Sequence, residues 1–375
     1  MISMYTVGDW SPFDSYGLIA CQTALELTRM GQQINAIGLG DRQVVGQSDE
    51  VRAITARPIQ ASLGGIAMGW PNHYDKFSML YWAGPKLAVT MFESSKVPAG
   101  WTEMLNRLDA VITPSRFCDD LLRSCGVTIP IYQVPLGINP AYSYVARPMR
   151  FGPARPLTFL AVLDRGERKG GELAMQAFLH AFGDDPTVRL VLKAREKKNR
   201  FTLTNANIET IFADYDEAQM VALYQRCDVL INPHKGEGFG LIPREFAATG
   251  GLALTTPWSG TADDLDQWGM PLPYRLERAG WAGNVGLQGQ DLGYWAKLDI
   301  VEVAHTLRTV RAAYALHQRA SKARSEFVHK SYSWRAFAAA LLSIWEGLAQ
   351  KPTDWKQLVF PELEIKAMPE MGVRA

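Results

Sequence analysis

Two kinds of apolar pattern alternate along the chain. Short unbroken apolar runs bounded by charge, glycine or proline predict buried parallel strands. They fall at 2–7, 34–39, 59–63, 86–90, 110–113, 157–163, 188–193, 208–212, 229–231 and 252–256, with another strand and a turn within 131–140. Between them, apolar residues at helical spacing predict helices at 18–30, 116–124 and 172–182, and one starting near Asp216. Ser115 and Asp216 suit N-caps, and Gly31, Gly126 and the Gly250–Gly251 pair suit helix stops. Later helices are predicted at 300–319 and 331–349, the second with Trp334 and Phe337 on its apolar stripe. Strand–helix–strand alternation of this kind predicts an α/β protein built on parallel sheets.

One interruption divides the pattern. Residues 139–156 hold four prolines and three arginines, Arg147, Arg150 and Arg155, with no periodicity, and read as an interdomain linker. The 375 residues suffice for two domains. Residues 351–375 read as a partly ordered tail, and no internal repeat is visible. The 39 basic and 38 acidic residues almost cancel, so no global signal for a polyanionic partner exists. Cys21, Cys118, Cys125 and Cys227 form no CxxC pair and read as reduced, mostly buried thiols. No apolar run reaches the length of a membrane span, and the N-terminus lacks the basic and apolar regions of a signal peptide. The expectation is a cytoplasmic protein. Tryptophans beside glycine or proline, Trp70, Trp101 and Trp258, are candidates for cleft walls or for packing.

The chemistry concentrates in residues 228–265. A short strand ends at Asn232 and Pro233. A loop with Gly236, Gly238 and Gly240 follows, and Pro243 suits the first turn of the next helix. Such a loop presents backbone N–H groups and a helix dipole to an anion. Glu237 and Glu245 bracket it at a spacing of eight positions. Glu237, Gly238, Phe239, Gly240 and Glu245, followed by Ser259, Gly260 and Asp263, resemble the signature of the retaining glycosyltransferases of family 4. That family has the GT-B fold, an α/β architecture of two Rossmann-like domains facing a central cleft.

The resemblance spans most of residues 1–349. It implies an acceptor-side domain at 1–146, a nucleotide-sugar-binding domain at 147–330, and a helix at 331–350 that crosses back onto the first domain. In the family, the loop after the first strand of the second domain carries an Arg and a Lys that clamp the donor diphosphate, usually five positions apart. Here Arg165 and Lys169 are four apart, and Arg168 is the alternative occupant of the arginine role. Fixed cations suit this task because a departing nucleoside diphosphate gathers negative charge. The resemblance further implies that Glu237 binds donor-sugar hydroxyls and that Glu245 accepts from the ribose hydroxyls. Gly238, Phe239, Gly240 and Leu241 would offer backbone N–H groups to the donor, and Gly17 would approach it closely in the first βα loop. Gly17 reads equally as a helix-start glycine. Ser115, Pro135, Gly137 and Asn139 match structural marks of the first domain.

Many family members carry a histidine after the fourth strand. This chain has Phe92 and Glu93 there, within a pattern of Glu93, Ser94, Pro98 and Trp101 shared by a subset of the family. Glu93 is therefore a candidate acceptor contact, or else a helix cap. The implied co-substrate is a UDP- or GDP-sugar, with no other cofactor. The D-x-D pairs at Asp214 with Asp216 and Asp264 with Asp266 are read as local structure, so no metal site is expected. The acceptor stays open: a glycan, a lipid carrier or a small molecule, or a hydroxylated base in DNA, for which the basic run 194–200 would supply phosphate contacts. A non-catalytic nucleotide-sugar binder on the same fold is the third reading.

Overall fold

The computed structural model describes residues 1–62, 64–81, 83–163, 167–195, 205–280 and 285–350. Arg165, most of the basic run at 196–200 and the tail from 351 lie outside the described residues.

Twelve strands form two six-stranded sheets. The first holds β1 (Ile2–Thr6), β2 (Ile34–Gly38), β3 (Gly65–Met68), β4 (Lys86–Val89), β5 (Ala110–Thr113) and β6 (Ile131–Gln133), ordered β2-β1-β3-β4-β5-β6. The second holds β7 (Leu157–Leu163), β8 (Val188–Ala194), β9 (Ile208–Phe212), β10 (Val229–Asn232), β11 (Leu252–Thr255) and β12 (Gly269–Pro271), ordered β12-β11-β10-β7-β8-β9. Neighbouring strands run parallel in both. In each sheet the order reverses once, between β1 and β3 and between β7 and β10. At such a point the loops leaving two strands diverge and open a crevice at their carboxyl ends.

The caps expected at Ser115 and Asp216 both form, while the first helix starts ahead of the expected 18 and a helix at 49–55 was not expected. Asp14 caps α1 (Ser15–Arg29), and Ser48 caps α2 (Asp49–Thr55). A short α3 (Trp101–Leu105) precedes α4 (Arg116–Ser124), whose cap Ser115 accepts from the Cys118 N–H. In the second lobe α5 spans Gly171–Phe182, and α6 (Glu217–Arg226) starts with a reciprocal Asp216–Gln219 capping box. Then come α7 (Leu241–Ala248), α8 (Leu265–Trp268), α9 (Ile300–Arg319), α10 (Ser321–Ser331) and α11 (Trp334–Ala349).

The strand expected at 59–63 is corrected: β3 forms at Gly65–Met68 instead. The central position next to β1 demands burial on both faces. All four residues of Gly65–Met68 are buried, whereas Ile59 is exposed. The single helix expected at 331–349 starts at Trp334, because Ser333 caps it; Ser331 ends the separate α10.

Helix α11 packs on α1 of the first lobe. Trp334, Phe337, Leu341 and Trp345 join Ile19, Ala20, Ala24 and Leu27 in one buried cluster. The arginines between the lobes act as staples. Buried Arg147 donates to the carbonyls of Cys227, Tyr224 and Thr249, and Arg155 pairs with fully buried Asp228 at 2.7 Å. An antiparallel pair, β13 (Arg275–Arg278) and β14 (Tyr294–Lys297), leaves the second lobe as an arm. Its connection drives Leu287 and Leu292 into a first-lobe cluster with Phe92, Val97 and Trp101. Ser95 N donates to the Tyr294 carbonyl at 2.9 Å, and Tyr294 N donates to Ser95 Oγ at 2.8 Å. No helix among the described residues is long and apolar enough to cross a membrane.

Candidate active site

The loops leaving β7 and β10 meet at the reversal point of the second sheet. They are joined by backbone: Lys235 N donates to Arg168 O at 2.7 Å. Gly170 has φ +67°, and a Cβ there would collide with the Pro233 carbonyl. Only glycine allows this approach. The contact places the turn Glu167–Lys169 over the loop carrying Glu237.

Lys169 Nζ lies 2.6 Å from Glu237 Oε1. Arg168 donates to the Gly236 carbonyl at 2.6 Å and stands 3.6 Å from Glu237 Oε2. Burial alone would raise the Glu237 pKa, but Lys169, Arg168 and His234 overcome it and hold the carboxyl at about 2. The far end of Arg168 reaches the first lobe, 3.7 Å from Glu93 Oε1. Glu93 is pushed up by burial, against the pull of Arg168, and its Oε2 is buried with no hydrogen-bond partner among the described residues. Two cations and two carboxylates thus converge from three loops and both lobes.

The cavity at this junction has a volume of ≈ 240 Å³. Its lining includes Glu93, Arg168, Lys169, Glu237, Gly238, Phe239, Gly240, Leu241 and Glu245. From the first lobe, Pro12–Tyr16 and Met91 face it; from the second, Lys193, Arg195, Asp214 and Tyr215. Arg195 spans the opening and donates to the Phe13 carbonyl. Lys193 lies over the Tyr215 ring at 4.8 Å and donates to Ala213 O at 2.5 Å.

Glu245, on α7, lines the same cavity. It is 9% exposed, and its carboxylate accepts from Tyr224 Oη at 3.5 Å. Burial, reinforced by Glu217, pushes its pKa up to about 8, against the Tyr224 bond. The cavity therefore holds one carboxylate kept ionised beside cations and another kept protonated among tyrosines. His234, buried behind the loop, is depressed to about 3 by burial and stays neutral.

The lobes are closed on this loop. A Cβ at Gly236 would collide with the Glu93 carbonyl, and one at Gly238 with the Met91 side chain. Ser115 Oγ donates to Gly238 O at 2.7 Å, and Arg116 N donates to Asp263 at 2.8 Å. Gly17 does not line the cavity. Its α-hydrogen faces the backbone of Asp9 and Ser11, and its N–H donates to the α1 cap Asp14, so loop packing accounts for the glycine. Glu93 caps no helix, since α3 starts from Gly100. Trp70 and Trp101 pack with Phe92 and Trp258 with Phe117, away from the cavity lining. No group of three or more His, Cys, Asp or Glu suited to a metal ion occurs among the described residues.

Lys193, Tyr215, Tyr142 and Tyr224 line the site without having been assigned to it from the sequence. A lysine near the end of a buried strand was the available signal for Lys193.

The chain has the GT-B fold. Sucrose-phosphate synthase from Thermosynechococcus elongatus superposes with a TM-score of 0.66 at 15% identity, covering 92% of this chain and 98% of that one. Anabaena HepE, solved in complex with UDP-glucose, gives 0.63 at 10% identity over 93% and 100%. WaaG, a glycosyltransferase of lipopolysaccharide biosynthesis, gives 0.61 at 11% identity over 92% and 100%. No protein-family model and no curated protein matches the sequence.

Proposed function

We propose that the chain is a retaining glycosyltransferase that moves a sugar from a UDP- or GDP-sugar to a hydroxyl acceptor. The observation that carries this reading is the meeting of Lys169, Arg168 and Glu237 from two βα loops with Glu93 from the opposite lobe, in one cavity. Structural neighbours include a protein solved with UDP-glucose, which supports the donor class.

In this reading the donor diphosphate lies between Lys169, Arg168 and the amides of the glycine loop. As the sugar–phosphate bond breaks, negative charge on the leaving phosphate is met by these cations, held in place before the reaction. Glu237 stays ionised and accepts from donor-sugar hydroxyls once phosphate takes up Lys169. Glu245 accepts from the ribose hydroxyls at the other end. The acceptor hydroxyl approaches from the first lobe beside Glu93 and attacks the face the phosphate leaves, passing its proton to the phosphate oxygen. The cations take the part of charge neutralisation, so the reaction is proposed to run without a metal.

The test is a panel of UDP-, GDP- and ADP-sugars, assayed for donor hydrolysis and then for transfer, with the product anomer read by NMR. Cleavage of one donor with retained configuration supports the reading. Binding of a nucleotide-sugar with no cleavage under any condition supports a non-catalytic binder, and inverted product rejects retention.

A further inference from the structure

Arg244 occupies an unusual position. It is fully buried, and no carboxylate pairs with it among the described residues. Its guanidinium lies over three rings: Phe239 at 4.1 Å, Trp268 at 4.6 Å and Tyr332 at 5.0 Å. Its two terminal nitrogens donate to backbone carbonyls, and its Nε is buried with no hydrogen-bond partner among the described residues. One nitrogen donates to Phe239 O and reaches Gly240 O at 3.5 Å; the other donates to Gly260 O and Asp263 O, each at 3.1 Å. A packed apolar side chain would fill this space without the desolvation cost of a buried cation. The arrangement therefore points to a task beyond filling the core.

That task follows from peptide geometry. A trans peptide points its C=O and the next residue's N–H in opposite directions, and no peptide bond among the described residues is cis. Arg244 holds Phe239 O and Gly240 O on the core side, which turns the N–H groups of Gly240 and Leu241 the other way. Ser115 holds Gly238 O from the first lobe and turns the Phe239 N–H likewise. Phe239, Gly240 and Leu241 line the cavity, and their N–H groups have no partner among the described residues. The same guanidinium ties down 260–263, and Gly260 N in turn donates to the Glu237 carbonyl at 2.8 Å. One side chain thus fixes the loop from both sides and sets an unpaired positive charge behind it.

We propose that Arg244 is a positioning residue that aims the amides of residues 239–241 at the donor diphosphate and adds its charge behind them. It touches no substrate atom; it acts through the loop. The inference rests on the glycosyltransferase reading and names a residue that reading did not require.

The test compares phosphate-dependent with phosphate-independent affinity in the full chain. Calorimetry gives the Kd of UDP, GDP and ADP, and of uridine, guanosine and adenosine, for wild type, Arg244→Met and Arg244→Lys. Arg244→Met keeps an apolar stem against the three rings. It is expected to bind the preferred nucleoside within about 2-fold of wild type, and its diphosphate about 10²-fold more weakly, the scale of losing one preorganised donor group. Arg244→Lys keeps the charge without the fork and is expected to lose about 10-fold on the diphosphate. A merely structural role would weaken nucleoside and diphosphate together. An unchanged diphosphate-to-nucleoside ratio in Arg244→Met overturns the inference while leaving the functional reading intact. If Arg244→Met fails to melt cooperatively, an unchanged ratio in Arg244→Lys overturns it. A wild-type chain that binds none of the three diphosphates overturns the functional reading, and this inference with it.

Discussion

Donor affinity should rise with pH through the titration of Glu245. In the empty cavity this carboxyl has a pKa of about 8, set by burial and by Glu217. Ribose hydroxyls donate hydrogen bonds, and only the ionised carboxylate has acceptors free on both oxygens. Binding therefore selects the ionised form. At pH 7, about one unit below the pKa, roughly one tenth of the sites are ionised, so binding is weaker by about 1.4 kcal/mol, or tenfold, than on the plateau above pH 9. At pH 6 the loss is about a hundredfold. Calorimetry between pH 6 and 9.5, in buffers of differing ionisation enthalpy, reads both the affinity and the proton released, close to one per donor at pH 7. Glu245→Gln should flatten the profile. Tyr224→Phe should move its midpoint upward, since the Tyr224 hydroxyl lowers the Glu245 pKa, and Glu217→Gln should move it downward. The same group affects stability with a definite sign. Its folded pKa lies above its unfolded value, so the protein loses stability as pH rises from about 4.5 to 8, and Glu245→Gln should melt higher than wild type above pH 8. A wild-type donor affinity that is flat between pH 6 and 9, with no proton released, would refute the reasoning.

Lys169→Ala should lower kcat by about 10²–10³, as for loss of one preorganised charge-stabilising group, while a steady-state assay shows the chain still folded and saturable. Gly236→Ala should hold the lobes apart, because its Cβ would meet the Glu93 carbonyl; small-angle scattering should show a larger radius of gyration and assays should show lost transfer. Leu292→Ala should weaken the grip of the β13–β14 arm by about 2–5 kcal/mol, the range for a buried leucine, read as faster proteolysis between the lobes.

The second lobe was legible because its elements are long and its caps are local. Strands Leu157–Leu163 and Ile208–Phe212 and helix Ile300–Arg319 have the bounds that periodicity predicts. Asp216 caps as its position suggests, as does Ser115 in the first lobe, because a capping bond needs only residues within one turn. Residues 59–63 misled because Ile59 looks like a strand residue, while membership of the first sheet is decided by burial against distant helices. The motif residues Lys169, Glu237 and Glu245, far apart in sequence, all line one cavity. Arg168 entered as an alternative and proves to bridge Glu237 and Glu93. Arg244 was invisible, since an arginine on a helix normally reads as a solvated face, and only the tertiary packing of Phe239, Trp268 and Tyr332 around it shows otherwise. Lys193 and Tyr215 were missed for the same reason: they reach the cavity from strand ends far apart in sequence.

The most direct measurement is a crystal structure of the chain with its preferred nucleotide-sugar. The account predicts phosphate oxygens within hydrogen-bond distance of Lys169 Nζ and of the Gly240 or Leu241 amide, sugar hydroxyls on Glu237, and ribose hydroxyls on Glu245. A donor bound elsewhere, with the Lys169–Glu237 pair intact and no phosphate beside it, would contradict it.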